Sequence, residues 1–348
     1  MTQEIRLGNF RIAPGERRAL ELPLPALYSH TPVSLPVYVI NGKKPGPVLF
    51  VCAAIHGDEI NGVEIIRRLL RTKAVNKIKG ALVAVPVVNV YGFITRSRYL
   101  PDRRDLNRAF PGSDTGSMAG RLADTFLNQI VNQCSHGIDL HTGAIGRENL
   151  PQIRARIENA PLTEQMAHAF GAPLILNSEI VEGSLRRAVA EKIPVLVYEA
   201  GEALRFDEVA IRAGVKGITR VMRHLEMLPS RKDKSPVPKP LIANSSRWVR
   251  APQSGIMRSI VPLGAHVQKD QTIGWVADPF GEREAEIQAP VPGIVIGRNN
   301  LPLVHEGEAL YHIAVFSEPR IVAESVEAFQ EEYNPDGERA PGDEPPII

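Results

Sequence analysis

His56-Gly57-Asp58-Glu59 sets an imidazole and a carboxylate three residues apart. That is close to one helical turn, so both side chains can point to one side. A hydrolytic zinc site takes two histidines and a glutamate and leaves its fourth position open. His141, in Ile138-Asp139-Leu140-His141-Thr142-Gly143 and 82 residues beyond Glu59, qualifies as the third ligand. Alone, His-x-x-Glu is a weak pattern, and a single histidine is more often a hydrogen-bonded structural residue than a ligand. The set gains weight from a fourth group, Glu199, which closes the apolar run Val195-Leu196-Val197-Tyr198. A charge after such a run is often only a solvated strand end. Beside a divalent ion, however, a carboxylate can take a proton from water and pass it to a leaving amine. Glu202 is the neighbouring competitor for that role. Arg108, in Asp105-Leu106-Asn107-Arg108, is by itself an ordinary surface arginine. Next to an asparagine it also makes a carboxylate grip, a guanidinium fork with an amide donor beside it.

These residues need elements that carry them to one place. Arg18–Leu24 and Ser34–Ile40 read as strands, and Pro47–Ala54 is an apolar run suited to a strand covered on both faces. Asp58–Arg71 places Ile60, Val63, Ile66, Leu69 and Leu70 at helical spacing, with arginines near its end. Ala81–Val88, Gly137–Leu140, Pro173–Leu176 and Pro194–Tyr198 read as further strands. Helices are expected over Ala119–Val131, Pro161–Phe170 and Phe206–Leu225. Buried strands alternating with amphipathic helices imply an α/β fold with a largely parallel sheet, whose chemistry gathers at the carboxyl ends of strands. The positions after Ala54, at His141 and at Glu199 all fall there.

Residues 1–228 are read as this catalytic unit, with 1–45 an N-terminal β segment. Pro229–Ser246, carrying Pro229, Pro236, Pro238 and Pro240, reads as a linker. Residues 247–316 hold an internal repeat: Ala251-Pro252-Gln253-Ser254-Gly255 recurs at an offset of 38 as Ala289-Pro290-Val291-Pro292-Gly293. Val267, Ile273 and Val276 match Val304, Leu310 and Ile313 at an offset of 37. Two such half-motifs resemble a biotinyl/lipoyl-type barrel-sandwich. The hairpin between the halves, Asp278–Glu286, has no lysine, and the carrier position falls near Glu282. A structural or oligomerising cap is therefore expected rather than a swinging arm. Residues 317–348 read as a tail whose last dozen are disordered or pinned on a neighbour.

Composition narrows the partners. The net charge is +2 with no Lys/Arg block, which speaks against nucleic acid or a membrane surface. No stretch reaches the roughly 18 apolar residues of a membrane helix, and the N-terminus lacks an apolar signal core. Two cysteines, Cys52 and Cys134, cannot make a disulfide framework. A cytoplasmic address and a homo-oligomer are expected.

His-Gly-Asp-Glu, Asp105-Leu106-Asn107-Arg108, Asp139-Leu140-His141-Thr142-Gly143 and Tyr198-Glu199 resemble, in that order, the succinylglutamate desuccinylase/aspartoacylase family, over roughly residues 40 to 225. The resemblance implies the zinc carboxypeptidase fold, a mixed, largely parallel sheet flanked by helices, and one Zn²⁺ per chain on His56, Glu59 and His141. It implies Glu199 rather than Glu202 as general base, and Asn107 and Arg108 holding the substrate's α-carboxylate. Asp105 would orient a zinc histidine, His56, and Arg98 would polarise the scissile carbonyl, with Arg96, Arg103 and Arg104 competing for that last role. The expected substrate is a small N-acyl amino acid, N-succinyl, N-acetyl or similar. A metallocarboxypeptidase acting on short peptides uses the same ligands, and a non-catalytic zinc scaffold is the reading from another class.

Overall fold

The structure, a computed structural model, describes residues 4–230, 241–316 and 319–333. Most of the expected linker, and the final dozen residues expected to be disordered or pinned, lie outside the described residues.

A hairpin of β1 (Ile5–Leu7) and β2 (Phe10–Ile12) precedes β3 (Arg17–Leu24), β4 (Val33–Asn41) and β5 (Lys44–Ala53). Then come α1 (Asn61–Arg71), β6 (Lys79–Val85), the short α2 (Val90–Ile94), α3 (Met118–Gln129), β7 (His136–Gly143) and β8 (Arg147–Ala155). α4 (Pro161–Phe170), β9 (Leu174–Asn177), α5 (Leu185–Val189), β10 (Val195–Glu202) and α6 (Glu208–His224) complete the first part. The second part opens with β11 (Leu241–Ala243), β12 (Ser245–Arg250), β13 (Gly255–Ser259), β14 (His266–Val267) and β15 (Thr272–Ala277). It closes with β16 (Glu284–Gln288), β17 (Gly293–Asn299), β18 (Leu303–Val304), β19 (Ala309–Val315) and α7 (Pro319–Tyr333).

The main sheet runs β12-β19-β17-β8-β10-β7-β5-β6-β4-β3, with β9 also paired to β8. Its centre, β10-β7-β5-β6, is parallel, while β4 on β6 and β8 on β10 are antiparallel. The sheet is thus mixed. Along β5 the side chains alternate between two cores, as a pleated strand covered on both faces requires. Phe50 and Cys52 join Leu122 and Phe126 of α3. Leu49, Val51 and Ala53 join Ile65, Ile66 and Leu69 of α1 and Ile211, Ile218 and Val221 of α6. Among the described residues no helix is long and apolar enough to cross a membrane.

Expectations about the elements change around the site. α1 begins at Asn61 rather than Asp58, so His56 and Glu59 sit in the loop that leads into the helix. β7 and β10 do not stop at His141 and Glu199 but run on to Gly143 and Glu202. The apolar run ends there, but the hydrogen-bond ladder continues with polar side chains turned toward a cleft. β8 falls in a stretch where no element was expected.

The second part follows the repeat strand for strand, β13, β14 and β15 corresponding to β17, β18 and β19. The halves pair crosswise, β14 with β17 and β13 with β18, and all six matched apolar residues are buried. This unit is continuous with the first part, because β17 pairs with β8 through Gly297↔Asn149, Arg298↔Glu148 and Asn299↔Arg147. Residues 241–243 and 245–246, expected in the linker, are strand instead, as β11 extends the sheet at β9 and β12 pairs with β19. Residues 319–333, expected in the tail, form α7. Val322, Val326, Phe329 and Tyr333 recur at helical spacing; the first two pack with Leu150 and Ile296, the last two with Ala213 of α6.

Candidate metal centre and its cleft

The first two candidate ligands come from the turn between β5 and α1. Ala54 takes a positive φ of 52°, which swings the chain off the strand end. Gly57 then packs so closely on α2 that a Cβ would lie 2.1 Å from the Gly92 carbonyl carbon, so no larger residue fits at position 57. On β7, His141 stands in parallel register beside Glu199 of β10, which puts the imidazole and the carboxylate on one face of the sheet.

The donor atoms of His56, Glu59 and His141 lie within 4.8 Å of one another, and all three residues are buried. His56 Nδ1 is 2.7 Å from Glu59 Oε1, and His141 Nδ1 is 2.8 Å from Glu59 Oε2. Ligands about 2.0–2.1 Å from a tetrahedral zinc ion stand roughly 3.3 Å apart, so a small adjustment of these side chains would admit an ion. Each imidazole is also held from behind, His56 Nε2 lying 3.2 Å from Asp105 Oδ1 and His141 Nε2 lying 2.9 Å from Asp139 Oδ2. With the proton on Nε2 and a carboxylate receiving it, the Nδ1 lone pair is left for a metal. The donor set fits a divalent ion such as zinc.

Electrostatics agree with the geometry. Burial opposes charge on His141, yet Asp139 and Glu59 outweigh it and hold the imidazole well above its ordinary value. His56 is raised in the same way, against burial, by Glu59 and Asp105. Burial would raise Glu59, but the two imidazoles hold it far below the usual carboxylate range. Asp105 is likewise kept low, against burial, by His56 and Arg98. The site therefore concentrates negative charge and attracts cations, and a metal must displace protons to enter.

These residues line a cavity of about 260 Å³ together with Arg98, Asn107, Arg108 and Glu199. All the residues expected at the site thus reach it or, for Asp105, the back of a ligand. Arg98 donates to Asp105 Oδ2 at 2.9 and 3.2 Å and to Glu59 Oε1 at 3.3 Å; Arg96, Arg103 and Arg104 are exposed. Asn107 Oδ1 accepts the Leu185 N–H at 3.0 Å, which turns its amide donors away from α5. Arg108 Nη1 donates to its neighbour's carbonyl, Asn107 O, at 2.7 Å. Glu199 Oε2 accepts from Asn149 Nδ2 at 2.8 Å, and Oε1 lies 3.3 Å from Arg154 Nη1. Glu202 does other work, accepting from Gly146 N and Asn300 Nδ2.

Sequence reasoning assigned no role to Asp139, Asn149, Arg154, Arg186 or Trp248, all of which line the cavity. Asp139 had a signal, since Asp-x-His on a strand puts both side chains on one face. Asn149 and Arg154 depend on β8, where no strand was expected. Arg186 donates to Ser178 Oγ and Glu179 O, and burial, then Arg154, lowers it to about 10. Trp248 arrives from β12, in a part of the chain far from every motif.

Residues 45–225 match the sequence profile of the succinylglutamate desuccinylase/aspartoacylase catalytic domain. The chain is 26% identical over 294 residues to the N-alpha-acetyl-L-2,4-diaminobutyric acid deacetylase of Halomonas elongata, covering 81% of this chain and 86% of that protein. It is similar to the product-bound structure of the ectoine utilization protein EutE (DoeB) of Ruegeria pomeroyi, at 25% identity and a TM-score of 0.78, covering 87% of this chain and 97% of that one. A crystal structure of a succinylglutamate desuccinylase/aspartoacylase from Rhodobacter sphaeroides superposes with a TM-score of 0.80 at 23% identity, over 89% of this chain and 99% of the other, which speaks to the fold.

Proposed function

This chain belongs to the succinylglutamate desuccinylase/aspartoacylase family, and we propose that it is a zinc-dependent hydrolase that cleaves the amide bond of a small N-acyl amino acid, releasing a carboxylic acid and a free amino compound. One observation carries the reading. Two imidazoles and a carboxylate converge at the bottom of a cleft whose wall holds a further carboxylate, Glu199. The cavity of about 260 Å³ suits a molecule of amino-acid size. The Halomonas elongata relative is a deacetylase of an N-acetyl amino acid, which is amide hydrolysis of this kind.

Zinc held by His56, Glu59 and His141 would supply Lewis acidity toward the amide oxygen and toward water. Glu199 takes the proton of the attacking water on a carboxylate oxygen and then delivers it to the departing nitrogen. Asn149 and Arg154 fix the Glu199 carboxylate for both transfers. Arg98, anchored on Asp105, faces the cleft to stabilise negative charge growing on the carbonyl oxygen. Asn107 and Arg108 grip the α-carboxylate and hold the amide in place.

The test is a hydrolysis screen of the full chain, purified with zinc, over N-acetyl and N-succinyl amino acids and over dipeptides. Release of free amino acid from N-acyl substrates, with dipeptides untouched, is the expected result. Turnover of dipeptides alone would move the chain to the carboxypeptidase reading, and turnover of neither would leave a zinc scaffold.

A further inference from the structure

The proposed mechanism leaves one buried polar contact behind the candidate ligands without a role. Cys52 of β5 is fully buried and is the parallel-ladder partner of Asp139 on β7. Ladder partners share a face of the sheet, so thiol and carboxylate meet side by side, with Cys52 Sγ 3.3 Å from Asp139 Oδ1. Burial, then the charge of Asp139, pushes the Cys52 thiol well above its ordinary value. It therefore keeps its proton and is the donor. The other oxygen, Asp139 Oδ2, lies 2.9 Å from His141 Nε2. A line of contacts thus runs from Cys52 through Asp139 to the imidazole of His141, whose Nδ1 faces Glu59.

The carboxylates behind the two imidazoles are held differently. Asp105 takes the Asn107 N–H on Oδ1 at 2.8 Å and the Arg98 guanidinium on Oδ2 at 2.9 and 3.2 Å, and its contact with His56 is 3.2 Å long. Asp139 takes a thiol, a weak donor, and its contact with His141 is shorter, at 2.9 Å. A carboxylate engaged by a guanidinium has less charge left for an imidazole, whereas a thiol draws off little. Cys52 also belongs to the apolar layer of Phe50, Leu122 and Phe126. An aliphatic residue in its place would deprive Asp139 Oδ1 of that donor inside a buried layer. A carboxylate oxygen in that state turns toward another donor or toward water.

We propose that Cys52 is a positioning residue of the metal centre: its thiol holds the Asp139 carboxylate in place, and the carboxylate keeps the His141 imidazole aimed at the ion. The inference rests on the metal-centre part of the hydrolase reading and goes beyond it. Cys52 stands outside the candidate donor set and outside the lining of the cavity. Its burial alone does not call for a thiol, since alanine or valine would fill an apolar layer as well.

The test is zinc affinity, read on the full-length protein by competition with a coloured zinc chelator. Alanine and serine take nearly the same volume and differ in a hydroxyl donor. Comparing Cys52→Ala with Cys52→Ser therefore separates the contact with Asp139 from the packing that both lose. Cys52→Ala should bind zinc about tenfold more weakly than the parent, at the low end of what losing a partner behind a ligand costs, because the thiol is a weak donor. Cys52→Ser should recover most of that loss. Cys52→Val, which fills the space without a donor, should fall with Cys52→Ala and gives the same reading if the alanine variant does not fold. Affinity unchanged in Cys52→Ala and Cys52→Val, or Cys52→Ser as weak as Cys52→Ala, overturns the role. A parent that binds no zinc overturns the metal reading and the role together. A parent that binds zinc while all three variants match it overturns the role alone. The predicted order of affinities in a protein that cleaves no amide leaves the role standing and removes the hydrolase.

Discussion

At the scale of single residues, holding the metal and moving the proton fall to different side chains in the proposed mechanism. Glu199 is outside the ligand set and is fixed by Asn149 and Arg154. Glu199→Gln keeps the shape and one hydrogen-bond acceptor but cannot take a proton. It should retain zinc while kcat falls by about 10²–10⁴, a split that steady-state rates and metal content measure together. A variant as fast as wild type would remove Glu199 from the mechanism. The candidate ligands and the candidate base were legible in the sequence because their motifs are local, and strand-end context limited where they could sit. Asp139 was legible too, since the two-residue spacing to His141 on a strand puts both side chains on one face. Arg154 and Trp248 carry no motif, and their position follows only from which strands pair.

At the scale of elements, the turn from β7 to β8, which carries the chain from one side of β10 to the other, sets the cleft wall. Its tip is clamped from both sides, with Gly146 N donating to Glu202 Oε1 and Gly146 O accepting from Asn300 N at 2.7 Å. Gly146 has φ +74°, and a Cβ there would lie 2.5 Å from Leu301 Cδ1. Gly146→Ala should cost about 1–3 kcal/mol in urea unfolding and lower kcat/KM, because Arg147 and Asn149, which line the cavity, follow it directly. An unchanged unfolding midpoint would show that the clamp is loose. β8 itself escaped the sequence reading for a physical reason. Pro151 interrupts it, and its polar residues face the cleft or, like Gln152, bond across to Ile296 O of β17, so no apolar alternation survives. The stack of Trp248 from β12 on His312 of β19, with centroids 4.1 Å apart, belongs to this scale too. Burial, then Arg154 and Arg147, lowers His312 to about 3 when folded, against near 6.5 when unfolded. Between those values the unfolded chain binds the extra proton, so stability must fall as pH drops from about 6.5 toward 3. The loss reaches on the order of 3 kcal/mol at pH 4. His312→Phe keeps a flat ring without the titrating group and should flatten that fall. Urea midpoints at pH 7 and pH 4 give the comparison, and parallel losses in the two proteins would contradict it.

At the scale of the whole molecule, the sheet does not respect the boundary that the sequence implies. Proline density around residues 229–246 marks a joint, and the repeat beyond it marks a unit with its own core. What the sequence hides is that β17 completes the sheet at β8 and that α7 returns to cover α6 and the strands between. Pairing between distant strands leaves no local pattern, and the acidic composition of α7 masks its apolar stripe. Since the two parts share one sheet and one apolar layer, calorimetry should record a single cooperative transition. Two transitions separated in temperature would mean that the β8–β17 junction contributes little.

The most direct test of the central claim is the zinc content of the purified chain and of His141→Ala, measured by elemental analysis after dialysis. One zinc per chain in the parent and close to none in the variant is the expected result, because losing one imidazole leaves His56 and Glu59 of the candidate ligand set to hold the ion. An alanine variant that still carries a full equivalent of metal would contradict it.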